Sequence, residues 1–224
     1  MSFFPLNINL TGRAVVIIGG GAVAARKVAA LLDTGARITI VAPQLSEELA
    51  TLRDSGAVEH LPRLYERGDL RGAFFAIAAT NDSSVNWIIA GEAHRQGILV
   101  DVCDAPELSS FTMPAVMRRG DLVIAISTGG KSPALAKKIR LQLEGAFGPE
   151  YELTLKLLGA LREKLLTAQG NSAYNKALLS QLAAQDLPRL IRERRYDRLD
   201  QLLHQHFGSE FSISRLLKEE KDHR

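Results

Sequence analysis

A glycine-rich turn between a strand pattern and a helix pattern constrains this chain more than any other feature. Five consecutive apolar residues, Ala14 to Ile18, lead directly into Gly-Gly-Gly-Ala-Val-Ala at positions 19–24. In a turn of this kind Gly19 permits the sharp change of direction, Gly21 lets the backbone approach a ligand, and Ala24 allows the helix to pack closely on the strand. The helix N-terminus then offers free N–H groups and a partial positive charge to phosphate groups. A glycine-rich turn without any ligand is the alternative.

The first hundred residues repeat this succession of strand and helix patterns. Short β-branched runs alternate with helical patterns, which predicts parallel βαβ units and a doubly wound sheet, the Rossmann architecture. Strands are predicted at 14–18, 37–41, 58–61, 74–79 and 99–102, and helices at 22–33 and 83–96. Gly35 is predicted to end the first helical region.

The pattern changes after Pro106. Two strands are predicted at 111–118 and 122–127 with a turn at 119–121, followed by a helix that runs to about Leu143. From Pro149 onward the chain is predicted to be helical, with leucines on one face of each helix at 153, 157, 161 and 165, at 178, 179 and 182, and at 199, 202 and 203. We therefore expect an α/β protein of three parts: a Rossmann domain at 1–112, a small central α+β region at 113–148, and an all-helical C-terminal domain at 149–224.

Composition excludes several classes of protein. The chain has 224 residues, a net charge of +3 and one cysteine, Cys103, so a disulfide framework and an all-cysteine metal cage are excluded. No apolar run approaches the ~20 residues of a membrane span, and the N-terminus lacks a signal-peptide pattern, so a cytoplasmic protein is expected. The basic cluster at 192–195 is interleaved with acids, which favours a solvated face or subunit contact over nucleic acid. His204 and His206 point to different faces of a helix, so no metal site is expected.

Asp104 is a candidate catalytic residue. It lies just past the strand at 99–102, and ligands bind beyond the carboxyl ends of strands in such sheets. A carboxylate there suits a general base or a metal contact, although an Asp before Ala-Pro is also a common turn residue. Asp101, inside the strand pattern, is expected to point to the same face and is a possible second carboxylate.

The end of the second strand lacks the acidic residue that usually binds a ribose. The strand ends Ile-Val-Ala-Pro43-Gln44, and no arginine stands there to meet a 2′-phosphate. Backbone groups or Gln44 would take the hydroxyls instead, so this position does not decide between NAD and NADP.

The segment Ser127 to Pro133 is a candidate anion-binding loop. Ser132 is predicted to cap the following helix and Pro133 to be its first residue. The two glycines would expose backbone N–H groups beside Lys131, an arrangement that suits a carboxylate or phosphate. Simple helix capping is the alternative.

Taken together, these motifs resemble the precorrin-2 dehydrogenase family, the module that forms the N-terminal half of siroheme synthase and also occurs alone. The resemblance covers residues 4 to about 145, and we expect the stand-alone form. The matching segments are Phe4-Pro5-Leu6, Val16 to Gly21 with Val23-Ala24 and Arg26-Lys27, Gly35-Ala36, Ala76 to Thr80 with Val85-Asn86, Val102 with Asp104-Ala105-Pro106, Ser110-Phe111 with Met113-Pro114, and Ser127 to Pro133 with Leu135-Ala136.

The resemblance implies a reaction and a set of site residues. Precorrin-2 would lose a hydride to NAD and a proton to give sirohydrochlorin, and some members then insert ferrous iron to make siroheme. Asp104 would be the essential aspartate, and the protein would be a homodimer joined through its central region. NAD would be held by Gly19, Gly20, Gly21, Ala22, Val23, Pro43, Gln44 and Thr80. The carboxylate-rich tetrapyrrole would be held by Ser127, Thr128, Gly129, Gly130, Lys131 and Ser132. Where some siroheme synthases carry a regulatory serine, this chain has Thr128, so that regulation is not expected here.

Two other functions compete with this interpretation. One is a chelatase without dehydrogenase activity, against which the intact glycine turn argues. The other is a nucleotide-sensing Rossmann module without catalysis. Such a module has no need for Asp104 together with the 127–133 loop, and it usually keeps the acidic residue after its second strand.

Overall fold

The computed structural model describes residues 3–167, 179–209 and 211–222, and the chain divides into two compact units, Met1–Met113 and Pro114–Arg224. The first unit contains five strands: β1 (Ala14–Ile18), β2 (Arg37–Val41), β3 (Glu59–Leu61), β4 (Phe75–Ala78) and β5 (Leu99–Val102). They form one parallel sheet in the order β3-β2-β1-β4-β5. The order reverses beside β1, which opens a crevice at the carboxyl ends of β1 and β4. The predicted Rossmann architecture is confirmed.

Three helices cover the sheet: α1 (Ala22–Ala29), α2 (Glu47–Asp54) and α3 (Ser83–Gln96). Because both faces are covered, the central strands β1 and β4 are apolar throughout rather than alternating. Val15 and Ile17 of β1 belong to the core on the α1 side, whereas Val16 and Ile18 belong to the core on the α3 side. This two-sided burial fixes the register of the strands and therefore the position of the loops at their carboxyl ends.

Several predicted boundaries differ from the structure. α1 ends at Ala29, and a 3₁₀ turn at Leu32–Thr34 follows before Gly35 takes a left-handed conformation with φ 70°. α2 was not predicted, because Leu49 is its buried residue and so its apolar pattern is weak. The strand predicted from 111 begins only at Ala115, because Phe111 and Met113 pack on the α1 side of the first unit's core.

The second unit begins with an antiparallel hairpin of β6 (Ala115–Arg119) and β7 (Leu122–Ile126), whose turn contains Gly120 at φ 54°. Its helices are α4 (Pro133–Ala146), α5 (Glu150–Thr167), α6 (Leu187–Arg192), α7 (Tyr196–Phe207) and α8 (Ile213–Asp222), and residues 179–183 are also helical. The predicted leucine faces form their core, which includes Leu157, Leu161, Leu182, Leu199 and Leu203. Leu178 lies outside the described residues. Within the described ranges, no helix is long and apolar enough to cross a membrane.

Candidate functional site

A cleft of about 770 Å³ lies at the carboxyl ends of β1, β2 and β4 in the first unit. Its walls come from the glycine turn, the loop after β2, the loop after β3 and the loop between β4 and α3. The lining residues are Ile18, Gly19, Gly20, Gly21, Val41, Ala42, Pro43, Gln44, Leu45, Ser46, Leu64, Tyr65, Ala79, Thr80, Asn81, Asp82 and Val85. All of these lie in the described part of the chain, and none of them is Lys or Arg.

Two different physical reasons account for the three glycines of the turn. Gly19 has φ 126°, and a Cβ there would lie 2.3 Å from the carbonyl oxygen of Ala79. A Cβ on Gly20 would lie 1.9 Å from the carbonyl oxygen of Gln44. A Cβ on Gly21, in contrast, would meet nothing within 4 Å, because this residue faces the open cleft. The first two glycines therefore let neighbouring loops approach closely, and the third leaves room for a ligand.

The geometry of the turn fits the pyrophosphate of a dinucleotide. Gly21 is the N-cap of α1 and provides no side-chain hydrogen bond to the helix. The first N–H groups of a helix have no partner inside the helix, so those of Ala22 and Val23 are available to bind an anion. These two residues follow the cleft-lining Gly21 and are not themselves among the lining residues. Ala24 is fully buried, as expected for close packing of α1 on the sheet. Pro43 and Gln44 line the same cleft.

The loop between β4 and α3 forms the opposite wall. Asp82 is the N-cap of α3, where its Oδ1 accepts from the Ser84 N–H at 2.9 Å and from the Val85 N–H at 3.3 Å. A hydrogen bond from the Ser84 hydroxyl, together with these two from the backbone, lowers the pKa of Asp82. Thr80, which was predicted as a cofactor residue, lines the cleft two residues before this cap.

Asp104 is exposed and lies two residues beyond β5, where hydrogen bonds connect its side chain to α3. The Ser83 hydroxyl donates to Oδ2 at 2.6 Å, and the Asn86 amide donates to Oδ1 at 2.9 Å. The Ser83 hydrogen bond is the main reason that the pKa of Asp104 lies below its usual range. The carboxylate is therefore ionised at neutral pH and held by both of its oxygens.

Asp101 does not join Asp104, so the prediction of a shared face is wrong. Its carboxylate is buried and accepts from Lys27 Nζ of α1 at 2.6 Å. Asp104 instead contacts residues of α3, on the other side of the sheet. The reason is that Asp101 lies within β5 and faces α1, whereas the chain turns at residues 103–104 and brings Asp104 to α3. Cys103, next to Asp104, packs against the core, and burial raises the pKa of its thiol.

A buried acid fastens the loop that follows β3. Glu92 of α3 is 3% exposed and accepts from the Tyr65 hydroxyl at 2.5 Å and from the Gly68 N–H at 3.0 Å. Burial, with help from this carboxylate, raises the pKa of Tyr65. Arg63 and Asp69 close the same loop with two hydrogen bonds of 2.8 and 2.6 Å. Because Tyr65 lines the cleft, these contacts shape its rim.

The 127–133 loop lies in the second unit. Ser132 caps α4 by accepting from the Leu135 N–H at 3.2 Å, and Pro133 is the first helical residue, as predicted. Gly129 and Gly130 take φ angles of 60° and 80°. The Gly129 N–H bonds to the Ser127 hydroxyl and the Ser132 N–H to the Thr128 hydroxyl. The loop thus uses some of its own N–H groups, while the Lys131 side chain is exposed.

The structure also brings together residues that the sequence argument did not select for the site. Ser83 and Asn86 hold Asp104, and Leu64, Tyr65, Asn81 and Asp82 line the cleft. One signal was available: Asn86 is a polar residue on the otherwise apolar face of α3 formed with Ile89, Ala90 and Ala93.

Two family models match the chain. One is described as "Putative NAD(P)-binding" and matches residues 6–115, and the other, described as "Sirohaem biosynthesis protein central", matches residues 119–146. The first match coincides with the sheet and its cleft. The second includes the hairpin from Arg119 onward, the 127–133 loop and α4.

The chain is similar to curated bacterial siroheme synthases. It is 44% identical over 144 residues to the protein of Stutzerimonas stutzeri (strain A1501), a match that covers 64% of this chain and 31% of that protein. It is 46% identical over 165 residues to the protein of Pseudomonas aeruginosa (strain UCBPP-PA14), covering 74% and 36%. The aligned part thus spans about a third of these relatives. The fold is similar to the solved structure of SirC, precorrin-2 dehydrogenase, with TM-score 0.75 and 29% identity over 89% of this chain and 98% of that one.

Proposed function

We propose that this chain is a member of the precorrin-2 dehydrogenase family and oxidises precorrin-2 to sirohydrochlorin with NAD as hydride acceptor. The observation that carries the proposal is the connection between the cleft and Asp104. One helix, α3, lines the dinucleotide cleft with the residues at its N-terminus and holds the Asp104 carboxylate with Ser83 and Asn86. A hydride acceptor and a proton acceptor would therefore meet at the same edge of the sheet.

NAD would occupy the cleft, where its nicotinamide ring supplies the position that receives the hydride. Gly19, Gly20, Gly21, Ala22 and Val23 would hold the pyrophosphate, Pro43 and Gln44 the adenosine ribose, and Thr80 the nicotinamide half. The absence of Lys and Arg from the described lining favours NAD, because a 2′-phosphate needs a cation.

Asp104 would accept the proton that the substrate loses. The oxidation removes two hydrogens from precorrin-2, one as a hydride and one as a proton, and two electrons leave with the hydride. The carboxylate starts ionised because Ser83 and Asn86 donate to it. A large substrate that covers the exposed carboxylate removes water from it, which raises its basicity at the moment when the proton leaves.

The remaining assignments are also proposals. Ser127, Thr128, Gly129, Gly130, Lys131 and Ser132 would bind carboxylates of the tetrapyrrole, with the Lys131 ammonium as the charged contact. Ferrous iron would be a second substrate, inserted after oxidation, with Asp104 taking protons from the macrocycle. We further propose a cytoplasmic homodimer whose second unit divides near residue 148 into a dimerisation region and a helical domain.

The test is an anaerobic assay of the purified protein with precorrin-2 and NAD, following the absorption of sirohydrochlorin. We expect NAD-dependent product with the parent protein, and a loss of about 10²-fold or more in kcat for Asp104→Ala, as for removal of a general base. Ferrous iron added afterwards tests chelation against a protein-free control.

Asp33→Ala is the matched control, because Asp33 is an exposed acid in the 3₁₀ turn before β2, at the opposite end of the sheet from the cleft. It should retain the parent rate. A protein that binds NAD but gives no NAD-dependent product would contradict the dehydrogenase and favour the nucleotide-sensing module.

A further inference from the structure

We propose that Asn86 is a positioning residue, a single buried amide that ties the Asp104 carboxylate to the cofactor-side loop at Thr80. The proposal rests on the proposed function, because it gives Asp104 a part in the reaction. It adds a residue that touches neither bound nucleotide nor substrate in that scheme.

The burial of Asn86 needs a physical reason. The residue is 1% exposed and lies on the face of α3 that also carries Ile89, Ala90 and Ala93. A polar amide in such a place destabilises the fold unless its hydrogen-bonding groups are paired. An apolar residue would suit this face better if packing were the only requirement.

The amide of Asn86 is fully paired, and within the described part of the chain two residues, Thr80 and Asp104, supply its partners. Its Oδ1 accepts from the Thr80 hydroxyl at 2.7 Å and from the Thr80 N–H at 3.3 Å. Its Nδ2 donates to the Thr80 carbonyl at 3.2 Å and to Asp104 Oδ1 at 2.9 Å. These contacts use the two acceptor and two donor positions of the amide.

This pairing fixes the orientation of the amide. A flipped side chain would place its oxygen against two acceptors, the Thr80 carbonyl and the Asp104 carboxylate. Thr80 follows β4 and Asp104 follows β5, so Asn86 joins the ends of two adjacent strands where the cleft and the carboxylate meet. A shift of either partner then disturbs the hydrogen bonds of the other.

Ser83 provides the contrast within the same helix. Its hydroxyl donates to the second oxygen of Asp104 at 2.6 Å and makes no described hydrogen bond to Thr80. Loss of Ser83 should therefore affect Asp104 alone, whereas loss of Asn86 should affect both Asp104 and the cofactor loop. If Asn86 had only a structural role, its loss would lower the stability of the fold but would not affect the cofactor loop more than the loss of Ser83 does.

The first experiment measures NADH affinity and turnover on the full chain. Trp87, the one tryptophan of the sequence, is 65% exposed beside Asn86, so its fluorescence can report NADH binding. We expect Asn86→Ala to raise the NADH dissociation constant about tenfold or more and to lower kcat about 10–100-fold, as for removal of a supporting hydrogen bond. Ser83→Ala should lower kcat and leave NADH affinity within about twofold of the parent.

The second experiment exchanges the two side chains. Asn86→Asp places a carboxylate oxygen against both the Asp104 carboxylate and the Thr80 carbonyl, which disrupts the tie at both ends. Adding Asp104→Asn replaces the first repulsion by an amide–carboxylate hydrogen bond and leaves the contact with the Thr80 carbonyl repulsive. We expect the double variant to recover part of the NADH affinity that Asn86→Asp loses, but not the turnover, because the exposed carboxylate is gone.

Either of two results overturns the proposal: NADH affinity within twofold of the parent in Asn86→Ala, or a double variant that binds NADH no better than Asn86→Asp. If Asn86→Ala does not fold, the exchange decides. A parent protein that binds NADH without oxidising precorrin-2 overturns the proposed function instead. The NADH affinities of the variants then still test whether Asn86 connects Asp104 to the loop at Thr80.

Discussion

Lys27 of α1 donates to the buried carboxylate of Asp101 on β5 at 2.6 Å, and this ion pair joins the helix of the glycine turn to the strand that leads to Asp104. Its side chains are 21% and 7% exposed. The pair links two elements that are 74 residues apart in sequence. It therefore fixes the relative position of the cofactor helix and the strand before the carboxylate.

Removal of Lys27 should destabilise the first unit strongly. Lys27→Met leaves the Asp101 carboxylate buried without its partner, so we expect the free energy of unfolding to fall by about 3 kcal/mol. Urea denaturation followed by circular dichroism measures this change. Arg53→Met is the control, because the Arg53–Asp54 pair is exposed, and its loss should cost less than about 1 kcal/mol. Equal effects of the two substitutions would contradict a structural role for Lys27.

The glycine turn should respond differently at each position. In Gly20→Ala the new methyl group meets the Gln44 carbonyl, so the protein should lose about 1–3 kcal/mol of stability together with NADH binding. In Gly21→Ala the methyl group enters the open cleft, so stability should change by less than about 1 kcal/mol. NADH affinity should still fall about tenfold, equivalent to ~1.4 kcal/mol.

Thermal unfolding with and without NADH separates these two effects. Gly91→Ala, inside α3, adds the same methyl group where only the flexible end of Arg95 is near. It should stabilise the protein by about 0.5–1 kcal/mol, because glycine is a poor helix former. Loss of stability in Gly21→Ala as large as in Gly20→Ala would mean that Gly21 is required for folding rather than for the ligand.

Asp69 should make the stability of the fold depend on pH in the acidic range. Its hydrogen bonds from Arg63 lower the pKa of Asp69 below the ordinary value of 3.8. As pH falls through this region the unfolded chain takes up the proton first, so the stabilisation is complete above about pH 5 and lost below the folded-state pKa. Asp69→Asn should therefore lower the melting temperature at pH 7, and the difference from the parent should shrink as the pH falls below 3.8. A constant difference between the two proteins from pH 7 to pH 3 would exclude this role.

The buried hydrogen bond between Tyr65 and Glu92 should control the rim of the cleft. Tyr65→Phe leaves the Glu92 carboxylate with one partner fewer, which should cost about 1–3 kcal/mol of stability. Because Tyr65 lines the cleft, NADH affinity should fall as well. Tyr196→Phe removes the same hydroxyl at an exposed position on α7 and is the control, for which both quantities should stay at the parent values. Stability and affinity measured on the same preparations show whether the rim and the fold are coupled.

Several elements that position the site could be predicted from local sequence. Periodicity and capping depend on neighbouring residues alone, and they predict the strands of the first unit, the start of α1, the length of α3 and the cap of α4 at Ser132. α2 was not predicted although Ser46 caps it. Leu49 is its buried residue, so the sequence of the helix shows little apolar periodicity.

The sequence by itself determined the sheet, the glycine turn and the position of Asp104 beyond a strand, because apolar periodicity, glycine conformation and strand ends are local properties. Only the tertiary structure decided which groups meet. It pairs Asp101 with Lys27, and it places Ser83 and Asn86 within hydrogen-bonding distance of Asp104. Such pairings depend on the order and register of β1, β4 and β5, which are set by packing on both faces of the sheet. No local pattern contains that information, since the partners are distant in sequence and are brought together by the burial of other residues.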